Sequence, residues 1–155
     1  MPYYRRPYKR PRYTKKTKYS VQNRAFNILA ASAATTKQEI VPPTEVEGTR
    51  KVKHIMVNLT KADGGPTAIY WAIVYVPQGT TAGNLTVAGT DSSMYEPNQY
   101  VMNCGIVDPD AGPIRFTSPL SRNLNEGDHI YLLLYHAGVD SIQCFGTVRY
   151  AITFQ

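Results

Sequence analysis

Histidine and cysteine are scarce in this chain of 155 residues. The 3 histidines, His54, His129 and His136, stand in neither HxH nor HExxH spacing, so a metal-binding cupin would lack its ligands. The 2 cysteines, Cys104 and Cys144, are too few for a disulfide framework and have no metal-ligand spacing. Each lies in an apolar, strand-like stretch and reads as a buried free thiol, which fits synthesis in a reducing compartment. A Gly-x-Ser-x-Gly elbow is missing, and a Ser-His-Asp set built on His136 would draw Asp140 from a turn. Asp108 and Asp110, flanking Pro109, read as a turn rather than as cation ligands. The expectation is a protein without catalytic residues, metal or cofactor.

Long apolar runs and helical periods are also missing. No run approaches the roughly 20 residues that span a bilayer. Residues 25–34 imitate the core of a signal peptide but are short and interrupted by Asn27, behind too long a charged region. Five tyrosines and three prolines in the first 19 residues argue against an amphipathic transit peptide. The chain reads as soluble and unexported, which makes the sequons at Asn58 and Asn84 chance matches.

Acid is absent from residues 1–19, where Arg5, Arg6, Lys9, Arg10, Arg12, Lys15, Lys16 and Lys18 give +8. The other 9 basic residues meet 11 acidic ones, so the remainder carries −2. A slightly acidic body with a cationic tail implies that the tail meets a polyanion while the body does something else. Pro2, Pro7 and Pro11 exclude a continuous helix, and the tail has no aliphatic side chain to bury. A disordered or extended arm is expected over 1–23. Its cations pair with phosphates, with affinity supplied by counterion release. Interleaved Tyr3, Tyr4, Tyr8, Tyr13 and Tyr19 suit stacking on unpaired bases, at about 1–3 kcal/mol per base. Duplexes hide base faces, so the tyrosines favour single strands. Clusters of Lys and Arg also suit nuclear import.

Strand signals recur from about residue 24 onward. In 51–60, Ile55, Val57 and Leu59 share one face while His54 and Asn58 share the other. Near the end, Val148, Tyr150, Ile152 and Phe154 read inward and Thr147, Arg149 and Thr153 outward. Residues 68–76 (AIYWAIVYV) and 130–135 (IYLLLY) are apolar on both faces, with Trp71 and Tyr75 on one and Tyr70 and Val74 on the other. A sandwich strand meets its core with one face only. The second face is expected to be covered by another subunit or by the arm's root around 20–34, the alternative being loops of the same chain. Further strands are expected near 26–31, 37–41, 100–107 and 114–118, with turns at 63–66, 77–79, 96–98, 108–110 and 126–128. About eight short strands predict an all-β, two-sheet antiparallel jelly-roll sandwich over 24–155.

Four segments carry a resemblance: EGTRKVKHIMVNLT from Glu47, AIYWAIVYVPQGTT from Ala68, MYEPNQYVMNCGI from Met94 and PIRFTSPLSRNLNEGDHIYLLLYH from Pro113. Together with the basic arm they resemble the capsid proteins of circovirus-like viruses, whose small circular single-stranded DNA genomes encode a replication-initiator protein. The resemblance implies a jelly roll, a sixty-copy icosahedral shell, an inward arm packaging single-stranded DNA, and a life divided between virion and host nucleus, with the nuclear import machinery as a further partner. A coat protein of a satellite-like RNA virus shares the same plan. A monomeric cellular single-stranded nucleic-acid-binding module is the rival from another class, followed by a lectin-like sandwich.

Overall fold

The computed structural model describes residues 18–63, 68–87 and 93–154. The alternating stretches form nine strands among these residues: β1 (Ser20–Ala30), β2 (Thr35–Val41), β3 (Arg50–Asp63), β4 (Ile69–Val76), β5 (Val101–Val107), β6 (Ile114–Ser118), β7 (Arg122–Leu124), β8 (His129–His136) and β9 (Ile142–Phe154). One sheet has the order β1-β9-β3-β6, with β7 also on β3, and the other the order β2-β8-β4-β5. All these pairings are antiparallel. The pairs nest around the β4–β5 pair: β3 with β6 and β7, then β2 with β8, then β1 with β9. Such a long antiparallel ribbon rolled into two sheets is the expected jelly roll.

Between the sheets, inward positions build one core. Trp71 of β4 stacks on Phe116 of β6 across the sandwich, with centroids 4.4 Å apart and planes at 24°. Ile73, Leu132 and Leu134 from one sheet join Val57, Leu59 and Val148 from the other. Each such buried side chain contributes about 1.5–3 kcal/mol.

A bulge sets the phase of β3. Lys53 pairs with Ala151 and Met56 with Arg149, so His54 and Ile55 together oppose one residue of β9. His54 takes φ 54. The inward set therefore shifts from Val52 to Ile55, Val57 and Leu59, and Lys51 and Lys53 share the solvent side with Met56 and Asn58.

The two-sided apolar strands are β4 and β8, adjacent in the middle of the second sheet. Much of their outer face is covered by a connection of the same chain, the alternative to the arm's root that the sequence left open. Ala82, Leu85 and Tyr95, from the connection between β4 and β5, pack on Ala72, Val74, Val76 and Leu133 to form a second core. The arm's root instead forms the edge of the other sheet. Tyr70, Tyr131 and Tyr135 on the same face stay half-buried.

Three local expectations also change. The strand foreseen at 26–31 begins at Ser20, so residues 20–23, assigned to the arm by composition, already pair with β9. At the end of β9 the alternation fails: Ile152 is half-buried, Phe154 is 61% exposed on the last rung opposite Arg50, and Thr153 is buried. Both cysteines are free, but only Cys144 is buried, because Cys104 lies on the outer phase of the edge strand β5.

Gly146 stands opposite Phe26, and a Cβ there would overlap the phenyl ring. An aromatic ring laid over a cross-strand glycine fills the space that the missing side chain leaves. Gly146→Ala should therefore destabilise the fold by about 1–3 kcal/mol by forcing Phe26 aside. In a Phe26→Ala background the same change should cost almost nothing, which urea denaturation of the four variants measures as a coupling. Additive losses would mean that the ring does not rest on the glycine.

Candidate nucleic-acid interface

Of the foreseen binding residues, Tyr3, Tyr4, Arg5, Arg6, Tyr8, Lys9, Arg10, Arg12, Tyr13, Lys15 and Lys16 lie outside the described residues. Lys18 and Tyr19 lead into β1, and Lys18 is exposed. The Tyr19 ring carries the Lys53 ammonium 3.7 Å from its centroid. One ring face is thus taken by a cation of β3.

The arm's root enters a basic sheet face. On the solvent side of the first sheet, cross-strand register places Val21, Ala151 and Lys53 on one rung. Asn23, Arg149, Met56 and Thr117 form the next, followed by Ala25, Thr147, Asn58 and Arg115. Lys51, opposite Asn123, extends the row. Asn58 Nδ2 donates to Thr147 Oγ1 at 3.4 Å and Asn58 Oδ1 accepts from Arg115 Nε at 3.4 Å, which fixes the amide between the two strands. Gln143 bonds Asn27 further along. The carboxylate on these rungs is Asp63, opposite Gln143 at the far end.

Most other carboxylates lie in the connections. Glu45, Glu47, Glu96, Glu126 and Asp140 are exposed between strands. A body with net negative charge thus presents four cations, Lys51, Lys53, Arg115 and Arg149, on one sheet. Charge total alone hid this feature. The alternation of Lys51 and Lys53 about Val52 was its one local signal, while Arg115 and Arg149 join them only through register.

The residues weighed above for catalysis or cation binding have structural partners. His136 is fully buried, and its Nε2 donates to the Ala30 carbonyl at 3.0 Å, with Nδ1 unpartnered. Asp108 accepts from the Asp110 amide at 2.9 Å and caps a short 3-10 turn, while Asp110 pairs with Lys61 at 2.5 Å. These contacts match the turn reading. His129 Nδ1 lies 3.1 Å from Glu39, which also lies 3.9 Å from Arg24.

Asp128, in the turn before β8, is 3% exposed and binds three donors. Its Oδ2 accepts from the Asn125 amide at 2.7 Å and the Tyr75 hydroxyl at 2.8 Å, and its Oδ1 from the Gln78 amide at 3.0 Å. Burial, followed by the bond to Asp128, pushes the Tyr75 pKa up to about 12. Arg50, also buried, donates to the Asp128 and Pro42 carbonyls. The segments containing VPQG and NEGD are joined at this carboxylate, which gives them a structural role.

No family model matches the chain, and no curated protein matches it. Among solved structures it is similar to the VP2 protein of infectious bursal disease virus in T=1 particles, at 12% identity and a TM-score of 0.18, over 86% of this chain and 41% of VP2. It is also similar to VP2 in a subviral particle of that virus, at 12% identity and a TM-score of 0.16, over 86% and 42%. The chain spans about two fifths of the length of VP2. At these scores the likeness adds nothing to either assignment: the fold is a jelly roll by its own strand order, with a basic face on the sheet that receives the arm.

Proposed function

We propose that this chain is the coat protein of a small virus, whose body assembles into an icosahedral shell and whose arm binds a single-stranded genome, DNA rather than RNA. The observation that carries the reading is the continuity of cationic surface from the +8 arm through Lys18 and Lys53 onto the solvent face of the first sheet. Polyanion binding then involves body and arm together, as a protein lining the inside of a particle requires. The jelly roll is shared by capsid and lectin domains. The arm's Lys and Arg clusters would also serve nuclear import before assembly.

Assembly rests on the resemblance to circovirus-like capsid proteins and on the fold, since the two-sided strands are largely covered within the chain. The purified full chain should elute as a large species in size-exclusion chromatography and appear as uniform particles by electron microscopy. Removing residues 2–17, which leaves Tyr19 on Lys53, should yield a folded β protein that forms empty or aberrant shells. A clean monomer of the full chain at high concentration would contradict the proposal.

A further inference from the structure

Within the segment 113–136, most inward residues have structural duties: Phe116 stacks on Trp71, Leu124 is fully buried, and Asp128 holds three donors. Ser121, Arg122 and Asn123 differ. With Lys51 and Tyr75 they line an open cleft of about 450 Å³ beside the short strand β7.

We propose that this cleft is a phosphate subsite, holding a phosphodiester of the same single-stranded nucleic acid that the arm engages. The inference rests on the function proposed above and adds a fixed contact on the body. Two cations and the polar side chains of Ser121 and Asn123 line the cleft, with no carboxylate in its lining. Among the described residues neither Lys51 nor Arg122 has an ion-pair partner. The nearby carboxylate of Asp128 is buried and bound to Asn125, Gln78 and Tyr75.

Arg122 is held ready for this role. Its guanidinium carbon lies 4.5 Å from the centroid of the Tyr75 ring. Among the described residues no hydrogen bond or ion pair occupies its N–H groups, which suit bidentate bonding to phosphate oxygens. The platform is itself fixed, by the Tyr75 hydroxyl on Asp128 at 2.8 Å and by an edge-to-face contact with Tyr100 at 5.5 Å. A donor ordered before binding loses less entropy on meeting its ligand.

The cleft is also joined to the arm's root through β3. Lys51 and Lys53 are two residues apart on the same side of β3, and Lys53 touches Tyr19 at the arm's root. An open cleft covers little of a free mononucleotide, so a polynucleotide anchored by neighbouring phosphates is the occupant that fits.

The test uses the full chain and a fluorescent oligothymidylate, with affinity measured across salt concentrations. Replacing both Lys51 and Arg122 with Gln should reduce the magnitude of the log–log salt slope by about 1.4, at about 0.7 per single-strand phosphate contact. Lys51→Gln alone, which leaves the Arg122–Tyr75 stack untouched, should give about half of that change, and Arg122→Lys should restore most of the second half. An unchanged slope in variants with the wild-type circular dichroism spectrum and melting temperature would overturn the subsite and leave the arm's role standing. Absence of oligonucleotide binding by the wild-type chain would overturn the parent proposal as well.

Discussion

Asp128→Ala is expected to destabilise the fold by about 3–5 kcal/mol, because one buried acceptor is removed from three donors at once. The substitution leaves the Asn125 and Gln78 amides and the Tyr75 hydroxyl without their acceptor. Each buried polar group left unpaired costs about 1–3 kcal/mol. For a domain of this size, the melting temperature should fall by about 10 °C or more. Asp128→Asn retains one acceptor oxygen but presents an NH2 group to a donor, so its loss should be intermediate. A change below about 1 kcal/mol would show that water readily replaces the carboxylate.

Alkaline pH tests the same network. Tyr75 has an ordinary pKa of 10.0 and is held protonated to about 12 in the folded chain. Because the folded value is the higher one, the associated stability is complete below pH 10 and is lost as pH rises from 10 towards 12. Burial raises Tyr131 and Tyr150 in the same direction. Stability should therefore decline above pH 10, and less steeply in Asp128→Ala, where Tyr75 has lost its acceptor. Equal slopes in the two proteins would remove the Tyr75–Asp128 bond from the explanation.

The sandwich was legible because a half-buried strand imprints period 2 on its sequence, as Ile55, Val57 and Leu59 do. The bulge at His54 was not, since it depends on a register between residues about a hundred positions apart. Two-sided apolar strands announced that a cover was needed. They did not specify it, because Ala82, Leu85 and Tyr95 are scattered through a connection without periodicity. Cys104 shows the same limit: an apolar neighbourhood in sequence does not reveal which phase of an edge strand faces solvent. In the candidate site, the arm's charge could be read from composition alone. The body's cations, at 51, 53, 115 and 149, become one surface only when β3, β6 and β9 pair. The role of Asp128 was hidden because a turn sequence carries no sign of amide donors arriving from other connections.

Binding of a mixed-sequence single-stranded oligonucleotide to the full chain, measured by fluorescence anisotropy between 50 and 200 mM salt, tests the central claim most directly. If all 8 arm cations engage phosphates, the log–log slope approaches about −5 to −6, an upper bound because every charge must be engaged at once. Affinity should then fall by roughly a thousandfold across that range, while changes of sequence matter far less. Replacing Tyr3, Tyr4, Tyr8, Tyr13 and Tyr19 with alanine should weaken single-strand binding more than duplex binding, because only unpaired bases expose a face for stacking. Replacing the arm's arginines and lysines should weaken both. A flat response to salt, or equal tyrosine effects on single and double strands, would contradict the account.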